Sequence, residues 1–217
     1  MNVAISWSGG KDSCLALHLA RENADIPLVL LSMMDESGNY SRSNGVHKSV
    51  LEAQADALGL AIEFVSTSWD DYQAKLTYKL IELHKKLQIE GVVFGDIDTP
   101  LHREFNEHIC LEANLVPVMP LWNLSRKQII EYNKQLKIQS KVCVINKQYN
   151  CEDLLGQDFN DLDFSQLQDL DIDECGENGE FHTVVYDAPL FKYKLNLSLL
   201  ETHDLSQVKL AEYRFLE

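Results

Sequence analysis

A chain of 217 residues, 45% apolar and 24% charged, can bury the core of one α/β domain and carry a small appendage. No run of eighteen apolar residues occurs and the opening MNVAISW lacks the features of a signal peptide, so neither a membrane-spanning helix nor secretion is expected. The net charge of −15, from 34 acidic residues against 19 lysines and arginines, is a poor match to nucleic acid, which needs clustered cations.

From the N-terminus, Val3–Trp7 is an apolar run of strand length, broken by Gly9-Gly10 and followed by helical character over Ser13–Arg21. Pro27–Met34 predicts a second, buried strand. Ser49–Leu58 has apolar residues at helical spacing (Val50, Leu51, Ala53, Ala57, Leu58) and closes at Gly59. Ile62–Val65 predicts a third strand, and Asp70 or Asp71 can cap a long helix through about Leu87. Gly91–Gly95 is a compact strand, with a helix near Glu104–Glu112 behind it. Leu115–Met119 reads as a further strand, Ser125 caps a helix to about Leu136, and Val142–Ile145 is the last strand of the series. Strands alternating with helices at this spacing predict βαβ units: an α/β fold with a doubly wound parallel sheet.

Past about Tyr149 the alternation fades. Residues 148–191 contain no lysine or arginine but hold Glu152, Asp153, Asp158 and nine further acids, which reads mainly as a solvated acidic face. It is not a calcium loop, because Glu174 stands where an EF-hand starting at Asp169 needs glycine. A short strand, Thr183–Tyr186, and a segment from Pro189 onward follow. The expected organisation is therefore a nucleotide-binding domain over residues 1–149 and a small C-terminal subdomain over 150–217. Five scattered cysteines without a C-x-x-C pair fit reduced thiols, and the cytoplasm is the expected compartment.

In a parallel sheet, ligands bind beyond the carboxyl ends of the strands, where loops lead into helices. Ser8-Gly9-Gly10-Lys11-Asp12-Ser13 stands at that place after the first strand. Its glycines let the backbone turn and bring N–H groups to an anion, and the following helix adds its positive end. Lys11 adds a full charge expected to face the ligand, Ser8 and Ser13 offer hydroxyls, and Asp12 can hold a metal or a loop amide. Walker A sets four residues between its glycines, so this is a different phosphate loop. Trp7 and Cys14, beside it, read as core residues.

Two other segments carry chemistry. Gly95-Asp96-Ile97-Asp98 follows a buried strand, with Arg103 shortly after. Asp96 and Asp98 are hard oxygen ligands suited to Mg²⁺ on substrate phosphates, and Arg103 can balance developing charge. Cys175-Gly176-Glu177-Asn178-Gly179-Glu180-Phe181-His182-Thr183 bends at two glycines and gathers acid and base in Glu177, Glu180 and His182. An Asp-rich helix cap and a surface turn are the bland readings of these two.

The first loop resembles the PP-loop, SGGxDS, of ATP pyrophosphatases, which cut ATP between its α and β phosphates. With the Gly95–Asn106 segment, Pro120-Leu121-Trp122, CGENGEFHT and Asp187-Ala188-Pro189-Leu190-Phe191, the chain resembles the diphthine–ammonia ligase family from about Val3 to about Phe191. The resemblance implies an adenine nucleotide alpha-hydrolase-like sheet, ATP and Mg²⁺, and amidation of a carboxylate by ammonia with release of AMP and pyrophosphate. It implies ATP binding by Ser8, Gly9, Gly10, Lys11, Asp12 and Ser13. Catalytic work would fall to Lys11, Asp96, Arg103, Glu177, Glu180 and His182, and Mg²⁺ to Asp12 and Asp96. In eukaryotic and archaeal members the carboxylate belongs to a modified histidine of translation elongation factor 2.

Where family members often have histidine before Gly-Val, this chain has Asn44 before Gly45-Val46. The acceptor, a protein side chain or a metabolite, stays open, as do the source of ammonia and a homo-oligomeric assembly. A PP-loop enzyme acting on tRNA is the first alternative. It has in its favour one modest basic group (Arg126, Lys127, Lys134, Lys137, Lys141, Lys147), and against it the −15 charge and the missing C-x-x-C. A non-catalytic nucleotide sensor is the second, and it would not need both the Asp96 and the Glu177–His182 segments.

Overall fold

A computed structural model describes residues 1–215. The first part alternates as the pattern predicts: β1 (Asn2–Ser6), α1 (Lys11–Glu22), β2 (Ile26–Met34), α2 (Lys48–Leu58), β3 (Ala61–Ser66), α3 (Tyr72–Leu87), β4 (Gly91–Val93), α4 (Pro100–Ala113), β5 (Val116–Val118) and α5 (Arg126–Gln135). The five strands form one parallel sheet in the order β3-β2-β1-β4-β5. Alternate residues of β1 point to opposite faces. Val3 and Ile5 join α1, α2 and α5 in one core, while Ala4 joins Leu76, Leu80 and Leu83 of α3 and Ile109 of α4 in the other. The sheet is therefore wound on both sides.

Local chemistry sets the helix ends. Ser125 caps α5 in a capping box with Gln128, and Gly59 closes α2 in the left-handed conformation at φ +69. Two helices begin earlier than their apolar periodicity suggests. Pro100 occupies the first turn of α4, and α1 begins at Lys11, so Lys11, Asp12 and Ser13 form its first turn.

The remaining strands are β6 (Gln139–Asn146), β7 (Phe181–Asp187), β8 (Leu197–Asp204) and β9 (Val208–Phe215), with a short helix α6 (Phe164–Asp169) before β7. They form an antiparallel sheet in the order β7-β6-β9-β8. The Val142–Ile145 run thus does not end the parallel series; it lies in β6, and the second sheet begins ahead of Tyr149. The two sheets share one core, in which Phe181 and Val185 of β7 and Ala211 of β9 meet α1 and α2. Among the described residues, no helix is long and apolar enough to cross a membrane.

Candidate active site

Strand order reverses between β1 and β4, parallel neighbours whose carboxyl ends lie on the same edge of the sheet. A crevice opens there because the connections leaving the two strands pass to opposite faces. The β1–α1 loop, the β4–α4 loop and the loop entering β7 all open into one cavity of about 630 Å³, ample for a nucleotide. Ser8, Asp12 and Ser13 line it, as do Asp96, Glu177 and His182.

The phosphate loop is held from behind. Gly9 turns the chain at φ +82, and its carbonyl accepts from Gln54 Nε2 (3.0 Å) and the Val185 amide (2.9 Å). Buried Gln54 also donates to the Val185 carbonyl (2.7 Å) and accepts from the Trp7 indole (2.9 Å), so Trp7 is packed in the core as expected. Gly10 gives α1 no side-chain cap, which leaves first-turn donors for an anion. The Ser8 and Ser13 hydroxyls lie 3.2 Å apart in the cavity. Cys14 faces the core, where burial pushes its thiol pKa up.

Lys11 lines the cavity but meets expectation only in part. Its ammonium turns inward, 2% exposed, donating to the Cys175 carbonyl (2.6 Å) and Asp12 Oδ2 (2.7 Å) with the Phe159 and Phe181 rings 5.0 and 5.9 Å away. Burial opposes its charge, but Asp12 leads a set of negative groups that outweighs burial and raises the pKa. Lys11 here ties the phosphate loop to the β7-entry loop.

Asp96 accepts from His102 Nδ1 (3.0 Å) through one oxygen and from Asn106 Nδ2 (2.7 Å) through the other. That bond raises the His102 pKa. Arg103 points away: it pairs with Glu107 (2.6 Å) and lies over the Trp122 ring at 5.2 Å. Its place in the first turn of α4 aims it along the helix to the residue four positions on.

In the third loop Gly176 has φ +73, and a Cβ there would stand 2.6 Å from the Phe181 carbonyl oxygen, so only glycine fits. Glu180 is not free for proton transfer. It is 1% exposed and accepts from the Asp173 and Asn178 amides (both 3.0 Å) and the Asn178 side chain (3.1 Å), which makes it the brace of the turn. Glu177 faces the cavity; burial, with Asp12 adding to it, pushes its carboxyl up to about 7. Burial, then the Lys11 charge, depresses His182 to about 4, so its imidazole is neutral.

Several residues at the site were given no role there from sequence. Asn44 lines the cavity and donates to the Thr183 carbonyl (3.1 Å), and Thr183 Oγ1 accepts from the Lys11 amide (3.0 Å). His47, near Asn44, caps α2 instead, accepting from the Ser49 amide (3.1 Å). Arg126 joins Asp98 and Asp173. Three of the six residues in the basic group are engaged with internal acids: Arg126 with Asp98 and Asp173, Lys141 with Asp158 and Lys147 with Asp204. Mg²⁺ held mainly by nucleotide phosphates needs only one or two protein carboxylates. Asp12 fits, because its Oδ1 is buried with no hydrogen-bond partner. Asp96 fits less well, both of its oxygens being engaged, and no group of three or more potential ligands converges among the described residues.

Comparison with known proteins bears on what these groups do. The family model of the diphthamide synthase N-terminal domain matches residues 1–117, and that of its C-terminal domain matches residues 125–209. The chain is 28% identical to the diphthine–ammonia ligase of Bos taurus and 28% to that of Homo sapiens, in each case over 100% of this chain and 91% of the relative. A solved structure described as a predicted subunit of tRNA methyltransferase from Methanocaldococcus jannaschii aligns with a TM-score of 0.47 and 17% identity, over 87% of this chain and 98% of its own.

Proposed function

The chain belongs to the diphthamide synthase family, and from that premise we propose that it is an ATP-dependent C–N ligase which adenylates a carboxylate and then transfers ammonia to it. What carries the reading is the meeting of the phosphate loop, the Asp96 loop and Glu177 in one cavity.

In the first step an acceptor carboxylate oxygen attacks the α-phosphorus, and the bond to the β-phosphate bridging oxygen breaks, releasing pyrophosphate. The first turn of α1 and the Ser8 and Ser13 hydroxyls receive the phosphates. Mg²⁺, held by Asp12 and with less freedom by Asp96, would supply charge neutralisation on them. In the second step the nitrogen of ammonia bonds to the acyl carbon, the acyl–oxygen bond breaks, and AMP leaves with the electron pair. One N–H proton must go to a base. Glu177, poised near neutrality beside the phosphate loop, is that base. His182 has too little basicity for the role, and its neutral ring serves to orient the acceptor.

The relatives' name supplies the acceptor to try first, diphthine, which the resemblance to the family places on elongation factor 2. The pure protein is incubated with that acceptor, ATP, Mg²⁺ and ¹⁵N-ammonium, and nucleotide products and label are followed. Equal AMP, pyrophosphate and amide nitrogen are expected. ADP and orthophosphate as the coupled products would overturn the reading.

A further inference from the structure

Arg126 opens α5 as its first residue, a place where the helix dipole disfavours a cation and where the first turn contains no acid. Two acids from elsewhere in the chain meet it. Its Nη1 and Nη2 donate to Asp98 (2.7 and 3.2 Å), in the β4–α4 loop, and its Nε donates to Asp173 (2.7 Å), at the start of the β7-entry loop. Asp173 spends its other oxygen on the Cys175 amide (2.8 Å) and the Glu177 amide (3.4 Å). Glu177 Oε1 in turn accepts from the Ile97 amide (3.4 Å), next to Asp98. A ring thus closes from Arg126 through Asp98 and Ile97 to Glu177, and back through Asp173. Its two arms are the two cavity walls that carry Asp96 and Glu177. Guanidinium geometry suits this, since a planar fork can serve two carboxylates at fixed angles where an ammonium cannot.

We propose that Arg126 is a positioning residue, which by holding Asp98 and Asp173 together sets the spacing of the two cavity walls and keeps Glu177 buried against the phosphate loop. The catalytic part of this inference rests on the ligase reading above; the positioning part does not.

The test reads Glu177 directly. In protein carrying ¹³C-labelled glutamate carboxyls, with the resonance assigned through Glu177→Gln, the wild-type midpoint is expected near 7. Arg126→Ala should lower it by about one unit or more, toward the ordinary glutamate range, as the wall loosens and water reaches the carboxyl. Free guanidinium at millimolar concentration should restore part of the shift, and Arg126→Lys should fall between. A midpoint that stays in place, one that rises because the two freed carboxylates act while the wall stays closed, or one that falls without any guanidinium rescue, would overturn the proposal. Should Arg126→Ala fail to fold, Asp98→Asn and Asp173→Asn each release one arm and should each lower the midpoint. Binding of Mg²⁺ with α,β-methylene-ATP, a non-cleavable probe, should weaken about tenfold in Arg126→Ala. If the wild type itself does not bind that probe, the ATP reading fails while the Glu177 titration still decides the role of Arg126.

Discussion

Replacing Lys11 by methionine keeps the length and bulk of the side chain and removes only its charge. The structure makes this a stability experiment first and a binding experiment second. The ammonium is 2% exposed and bonds to the Cys175 carbonyl (2.6 Å) and Asp12 (2.7 Å). Without it both acceptors lose their partner. An unsatisfied buried carbonyl costs ~1–3 kcal/mol, and breaking a buried ion pair costs ~3–5 kcal/mol. Asp12 keeps some contact with the cavity, its side chain being 28% exposed, which moves the expectation to the lower end, about 3 kcal/mol. For a chain of this size that is a fall in Tm of roughly 6–12 °C. Urea unfolding of wild type, Lys11→Met and Lys11→Arg measures it, with an unchanged m-value as the control. The folded pKa of Lys11 is raised above 10.5, so this stabilisation is fully present below that pH and is lost as pH rises through the folded value. Unchanged stability in Lys11→Met, together with a tenfold loss of affinity for an ATP analogue, would refute the reasoning. It would mean that Lys11 reaches the phosphates instead of bracing the loop.

Gln54→Leu should destabilise by ~3–5 kcal/mol in chemical unfolding, because the Gly9 and Val185 carbonyls and the Trp7 indole all lose a buried partner. Gly176→Ala should abolish activity while Gly179→Ala costs far less, since both are at positive φ but only Gly176 meets a backbone oxygen; circular dichroism and turnover of the two variants compare them. The ligase should gain activity as pH rises through about 7, when Glu177 deprotonates, and Glu177→Gln should remove that limb from the pH profile. The Glu177 folded pKa lies above the ordinary glutamate value of 4.5, so its ionisation works against folding as pH rises between the two; Glu177→Gln should therefore be more stable than wild type above pH 7, by ~1–2 kcal/mol after allowance for its partial exposure.

The alternation of strand and helix from β1 to α5 was legible because each element buries one face or both against its neighbours, and burial writes its period into the sequence. The edge on which Ser8–Ser13 and Asp96 meet followed from parallel topology alone. β6 was visible as a strand but not as a member of another sheet, since a buried run such as Val142–Ile145 looks alike in parallel and antiparallel surroundings. β8 was not visible, because Leu199, Leu200 and Glu201 are all exposed and no alternation survives. For the site, residue type indicated the right loops but not the direction of each side chain. Lys11 and Glu180 have the chemistry of ligand-facing groups and are turned inward as braces. Arg126 and Asp173 lie far apart in sequence, and only the fold brings them within 2.7 Å.

The inward turn of Lys11 also explains why the antiparallel sheet belongs to the active site. β7 pairs with no strand of the parallel sheet, yet it is fixed to the phosphate loop at three points: Val185 N to the Gly9 carbonyl (2.9 Å), Gln54 from Gly9 to Val185, and Lys11 N to Thr183 Oγ1 (3.0 Å); Asn44, from the β2–α2 connection, adds a bond to the Thr183 carbonyl (3.1 Å). A Cβ on Gly10 would stand 3.0 Å from the Thr183 carbonyl oxygen and closer still to the Asn44 amide, so the seam would have to shift to admit one. Gly10 therefore answers to the approach of β7 as much as to that of a phosphate. A Glu177 placed by the parallel sheet alone would sit on a free loop, exposed and fully ionised at neutral pH. Docking β7 against the loop buries Glu177 beside Asp12, and that burial is the leading cause of its raised pKa. The second sheet thus supplies the proposed base, and the first supplies the phosphate loop beside which it is held.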